Sequence, residues 1–199
     1  MGRRPRLERY REYSEITNLG PVVRRYFVIG AFDGALTILG VGLGIALTRG
    51  GEPGSEGLII AAGLSAAIAL AVSSTIGAYE AERVEKKLDQ RTIERAMLAE
   101  LSQEHREAFR FAAILSALVH GIAPLVAALV PVVPFLLLPF WQAAAAAVVV
   151  TLGLLFAIGA YLGTIVPERI IVTGLRFAIA GGATALALWI LGAFGLRLV

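Results

Sequence analysis

Asp33 is a carboxylate inside an apolar run, Val22 to Leu47, long enough to cross a membrane. It stands eight residues past Arg25, which at 1.5 Å per residue puts it about 12 Å below the membrane interface. An ionised carboxylate at that depth costs at least ~2.5 kcal/mol on insertion scales, so it must meet a cation, a basic side chain, backbone donors or water. Thr37, one turn further along the same helical face, can add a hydroxyl ligand. Arg176, near the start of the last apolar run, is the best-placed basic side chain for a structural pair with Asp33. Cation or proton handling and a buried ion pair are thus the two readings of this residue.

Other candidates have the same double character. His120 falls midway through another apolar run, where an imidazole can relay protons or stay neutral and bond a carbonyl of a neighbouring helix. Ser73, Ser74 and Thr75 form a hydroxyl cluster near the end of a third run, where hydroxyls usually bond their own i−4 carbonyl. Glu80 lies five residues past Thr75. Beyond it, Glu82, Glu85 and Asp89 fall on one helical face, as do Glu100, Glu104 and Glu107. Oxygen-rich faces of this kind can collect Mn²⁺, Fe²⁺ or Ca²⁺. Basic residues are interleaved among them, and Glu82 with Lys86 is spaced for an i,i+4 ion pair, so a solvated salt-bridged helix is the competing reading. Glu8, Glu12 and Glu15 line up likewise near the start, with Leu7, Tyr10 and Tyr13 supplying apolar surface for a helix at the membrane interface.

The elements that must position these groups follow from composition. Of the 199 residues 57% are hydrophobic and mean hydropathy is +0.76, above what a soluble domain carries, and the excess is concentrated in runs of spanning length. The expected fold is an all-α integral membrane protein with five spans, about 22–47, 58–80, 108–131, 140–163 and 170–195. The chain then divides into an amphipathic N-terminal segment (1–21), the first two spans (22–80), a charged helical segment (81–107) and the last three spans (108–199). Thr48 to Gly57 reads as a short loop; Pro131, Pro134 and Pro139 as marks of the turn after span three; Pro167 as that before span five. Gly30 with Gly34, Gly40 with Gly44, and Gly159 with Gly163 set small residues one turn apart, as close helix contacts need.

Charge sets the orientation. Arg3, Arg4, Arg6, Arg9, Arg11, Arg24 and Arg25 precede span one. Arg83, Lys86, Lys87, Arg91, Arg95, Arg106 and Arg110 lie between spans two and three, and Arg169 and Arg176 flank the start of span five. The opposite side holds only Arg49 and Arg197, so the N-terminus is expected in the cytoplasm and the C-terminus outside. This placement, rather than nucleic-acid binding, accounts for the net charge of +3. The absence of cysteine excludes disulfides and thiolate chemistry, and no cleavable signal peptide or myristoylation motif is expected.

Read in order, several segments resemble the vacuolar iron transporter family. Asp33-Gly-Ala-Leu-Thr-Ile-Leu-Gly-Val-Gly-Leu-Gly44 is similar to its first-span aspartate-glycine segment. Gly77-Ala-Tyr79 resembles its Gly-Glu-Tyr, Leu118 to Leu125 with Pro131 and Pro134 its third span, and Gly174 to Gly182 running on to Gly192 its fifth. The resemblance implies a homodimer in the lipid bilayer that moves Fe²⁺ or Mn²⁺ out of the cytosol in exchange for protons. It implies an ion path at the dimer interface with Asp33 as a conduction ligand, and a glutamate-rich cytoplasmic helical region that collects metal. The metal is then substrate, and no permanently bound cofactor is expected. Ser74 stands where the family has methionine, and Ala78 where it has glutamate. Losing a thioether leaves oxygen ligands, which suit Mn²⁺ better than a softer metal.

Two other classes are weighed against transport. A phospholipid-synthesising alcohol phosphotransferase needs several aspartates clustered to hold two metals, and no second aspartate lies within a span, so no enzyme is expected. A non-transporting scaffold or sensor on the same fold is the alternative, favoured by the missing methionine and the short charged segment. The expected location is a prokaryotic plasma membrane.

Overall fold

The computed structural model describes residues 6–165 and 169–193. The described residues form six helices: α1 (Arg6–Ile16), α2 (Leu19–Arg49), α3 (Ser55–Met97), α4 (Gln103–Leu137), α5 (Phe140–Ile165) and α6 (Ile170–Ala193). The last five are long and apolar enough to cross a membrane. The protein is therefore an all-helical, integral, multi-pass membrane protein. The expected turn at Pro167 lies outside the described residues, as do Arg3, Arg4 and Arg197 and the side chains of Leu7 and Glu8.

The charged segment is not a separate helix. α3 runs unbroken for 43 residues, about 64 Å at 1.5 Å per residue and twice the hydrocarbon thickness. Its polar half and the first turns of α4 carry the acidic and basic residues, joined by a turn at 98–102. Leu98 reverses the chain there with φ of 52°. The Glu94 carboxylate holds the turn, accepting from Gln90 Nε2 at 2.9 Å and from the Leu101 N–H at 3.1 Å.

Two prolines expected in the turn after span three instead lie inside α4. Pro124, Pro131 and Pro134 are all helical, and only Pro139 stands in the short link to α5. Each internal proline removes one i→i−4 hydrogen bond, a loss that membrane helices tolerate because packed neighbours re-satisfy the freed groups.

The described residues form two compact units. One comprises residues up to Gly30 with Ala71–Ala123. Here α1 packs on the start of α4: Tyr10 stacks on Phe111 with centroids 5.1 Å apart, and buried Tyr13 donates its hydroxyl to Glu107 at 2.7 Å. In the same unit, α4 crosses α3 where Gly121 lies directly over Thr75, with room for nothing larger than hydrogen at its Cα. Thr75 donates its hydroxyl back to the Ala71 carbonyl at 2.8 Å.

The other unit comprises Ala31–Leu70 with the chain from Pro124 onward. Ile38, Ala67, Ala128 and Val132 join α2, α3 and α4, while Ala46, Ile59, Phe135, Phe140, Ala143, Ala144 and Ala147 form a second cluster that includes α5. α5 and α6 interlock through small residues. A methyl at Gly159 would lie 2.7 Å from the Thr173 carbonyl oxygen, and one at Gly163 would lie 2.8 Å from the Ile170 Cα. The expected role of that pair is borne out. Gly40 and Gly44 differ: a methyl at Gly40 would make ordinary contact with Leu188 at 3.8 Å, and one at Gly44 would touch nothing.

Candidate functional site: an unpartnered acid on an exposed face of α2

Neighbouring positions on α2 have opposite fates. Gly34 is buried against α4, where an added Cβ would lie 2.5 Å from the Pro124 Cα and 2.8 Å from its carbonyl carbon. A helix turns 100° per residue, so pinning Gly34 to α4 directs Asp33 away from that contact. Asp33 is exposed on the surface of the chain, and so is Thr37 one turn on. Among the described residues Asp33 has no hydrogen-bond or ion-pair partner, so the pair with Arg176 is not made.

Thr37 is exceptional among the threonines. Thr17, Thr48, Thr75, Thr92, Thr151, Thr164, Thr173 and Thr184 each donate the hydroxyl to a carbonyl three or four residues earlier. Thr37 makes no such bond. A carboxylate and a hydroxyl thus stand together with all their hydrogen-bonding capacity unspent, on a helix face otherwise bounded by Ile29, Gly44 and Leu47. The sequence signalled the acid and the spacing, whereas the free hydroxyl could not be read from it.

His120 donates Nδ1–H to the Tyr26 carbonyl at 3.0 Å, since a carbonyl has no proton to give. That is the satisfied-histidine arrangement, and it leaves Nε2 as the uncommitted ring nitrogen. The Tyr26 ring lies 5.0 Å from the imidazole. Ser74 is half-buried and has no hydrogen-bond partner among the described residues. It belongs to the first unit, Asp33 to the second.

The carboxylates of the charged segment are dispersed among basic partners. Glu80 pairs with Arg83 at 2.6 Å, and Glu100 with Arg106 at 2.8 Å. Glu107 takes the Tyr13 hydroxyl and the Gln103 amide, while Glu85 and Glu104 are exposed. Glu100 lies in the turn, so it does not share a helical face with Glu104 and Glu107 as the spacing suggested. Glu82 is the largest departure. It is buried and pairs with Arg25 of α2 at 3.4 Å, and Lys86 pairs with Asp89 at 3.6 Å instead of with Glu82. Among the described residues no three acidic or histidine side chains converge as a metal site would need. The Arg25–Glu82 contact joins residues 57 apart, a pairing that helix spacing does not signal.

The model of the VIT family matches residues 24–109 and 89–193, which together cover most of the chain. The protein belongs to the VIT family. It is thus a member of a family of membrane metal transporters. An uncharacterized protein of Methanocaldococcus jannaschii is 32% identical over 169 residues, covering 82% of this chain and 84% of the relative.

Proposed function

We propose that this VIT-family chain is a homodimeric exporter of divalent transition-metal cations of the Fe²⁺/Mn²⁺ class from the cytosol, coupled to protons, with Asp33 and Thr37 as ligands in the ion path. The observation that carries the reading is the unpartnered Asp33–Thr37 pair on an exposed face of a spanning helix. A carboxylate cannot face hydrocarbon at that depth without cost, so something polar covers it. A second copy related by a two-fold axis supplies an identical face. Two Asp33 carboxylates and two Thr37 hydroxyls then surround the axis, an all-oxygen set suited to a divalent cation. The open surface at Gly44, where an added methyl meets nothing within 4 Å among the described residues, lets a second helix approach closely on the same side.

With Ser74 in place of a thioether, the donors are hard and Mn²⁺ is favoured over Fe²⁺. The excess of basic residues around α1 and the α3–α4 turn supports a cytoplasmic location for that side in a prokaryotic cell, and on that reading transport through the plasma membrane runs outward. His120, with Nδ1 committed to Tyr26, offers Nε2 to carry the exchanged proton.

Purified protein in liposomes tests this directly. Mn²⁺ and Fe²⁺ should be carried, a pH gradient should drive them, and Asp33→Asn should abolish flux. No flux of any divalent metal, or unchanged flux in Asp33→Asn, refutes the reading.

A further inference from the structure

The unit containing α1 holds a buried acid with no part in the Asp33 face. On the polar half of α3, Glu80, Ala81, Arg83, Val84 and Glu85 are exposed, whereas Ala78 and Glu82 point inward. The Glu82 side chain is 2% exposed, and its basic partner Arg25 is 57% exposed. Their contact is single and long, Nη2 to Oε1 at 3.4 Å, against about 2.7–2.9 Å for a strong charge-assisted bond. The guanidinium also lies over the Tyr26 ring, 5.3 Å from its centroid. His120 holds the Tyr26 main chain from α4. The carboxylate is therefore enclosed within the chain, while its counter-cation sits on a long flexible stem that is largely exposed. Only the arginine can leave.

We propose that Glu82 is a transit site for the divalent cation and that Arg25 is a tethered cation occupying it between ions. The proposal rests on the transport reading above. A divalent ion brings twice the charge and bonds carboxylate oxygen at about 2.0–2.6 Å, so it outcompetes a guanidinium held by one long contact. Arg25 swings into water as the ion binds. One carboxylate and water hold a cation weakly, as a site that must release its ion requires. When the ion moves on, Arg25 returns, and the buried carboxylate is never left uncompensated. Asp33 stands seven residues beyond Tyr26 on α2.

The test is a Mn²⁺ titration of thermal unfolding with purified protein in an Asp33→Asn background, so that only the Glu82 site responds. Arg25→Met should be stabilised by Mn²⁺ with half-saturation at about tenfold lower concentration than its Arg25-containing parent. Adding Glu82→Gln should remove the response. Arg25→Met that unfolds normally but ignores Mn²⁺ overturns the proposal, because a merely structural pair predicts that result. If Arg25→Met does not fold, Glu82→Gln alone decides: the parent's Mn²⁺ response must vanish, and its persistence overturns the proposal. Absence of Mn²⁺ flux in the unsubstituted protein, with an intact Arg25→Met response in the Asp33→Asn background, would instead overturn the transport reading and keep Glu82 as a cation site.

Discussion

Gly34→Ala tests the contact that turns Asp33 outward. The added methyl would lie 2.5 Å from the Pro124 Cα and 2.8 Å from its carbonyl carbon, both backbone atoms that no rotamer change can move. Carbon–carbon contacts settle near 3.5–4.0 Å, so α2 and α4 must part locally by about 1 Å. Overpacking of this kind costs about 1–3 kcal/mol, and an immovable neighbour favours the upper half of that range. The gain in helix propensity from glycine to alanine offsets about 1 kcal/mol. The net loss is about 1–2 kcal/mol, a roughly 5–30-fold fall in the folded-to-unfolded ratio. Trp141 and Trp189 provide the fluorescence signal for unfolding in mixed micelles. Gly153→Ala is the control, because a methyl there meets nothing within 4 Å and should be neutral or stabilising. Gly34→Ala no less stable than Gly153→Ala would refute the close α2–α4 approach, and with it the reason given for Asp33 facing outward.

Thr37→Val should leave unfolding unchanged, because the hydroxyl bonds nothing among the described residues, yet raise the half-saturating Mn²⁺ concentration in liposomes. Thr151→Val should do the opposite: it loses a buried bond to the Ala147 carbonyl, at a cost of about 1 kcal/mol, with the half-saturating concentration unmoved. Equal effects in the two variants would contradict the ligand role of Thr37. Glu94, on the polar extension of α3 beyond the span, has its carboxyl held below the ordinary glutamate value, chiefly by the Gln90 amide, then by the Leu101 N–H and Arg106. Because the folded-state pKa is the depressed one, the contribution is complete above the ordinary glutamate range and is lost as pH falls through the lowered value. The hydrogen-exchange protection factor of the Leu101 amide should therefore drop with acidification in that window. Glu94→Gln should lack this pH dependence, and retaining it would show that another group holds the turn.

Much of the membrane architecture was readable from side-chain character alone, because hydrocarbon admits only long apolar helices. The errors arose where a local rule met a non-local partner. Proline marks helix ends in water, but Pro131 and Pro134 continue α4 because packed neighbours and the membrane environment sustain the helix. Spacing put Glu82 beside Lys86, yet burial turned Glu82 toward Arg25 on another helix. Gly34 and Gly44 look alike as small residues, but only Gly34 meets a backbone.

The sequence by itself determined that this chain resides in a membrane, where its spans run, and that Asp33 stands at a depth where a charge must be compensated. Those conclusions rest on transfer free energies and helix rise, which are properties of residues and spacing. The tertiary structure decided which face of each helix is covered: Gly34 against Pro124, Asp33 and Thr37 left open, Glu82 enclosed beside an exposed arginine. Helical periodicity assigns a residue to a face, but only packing determines what lies opposite it.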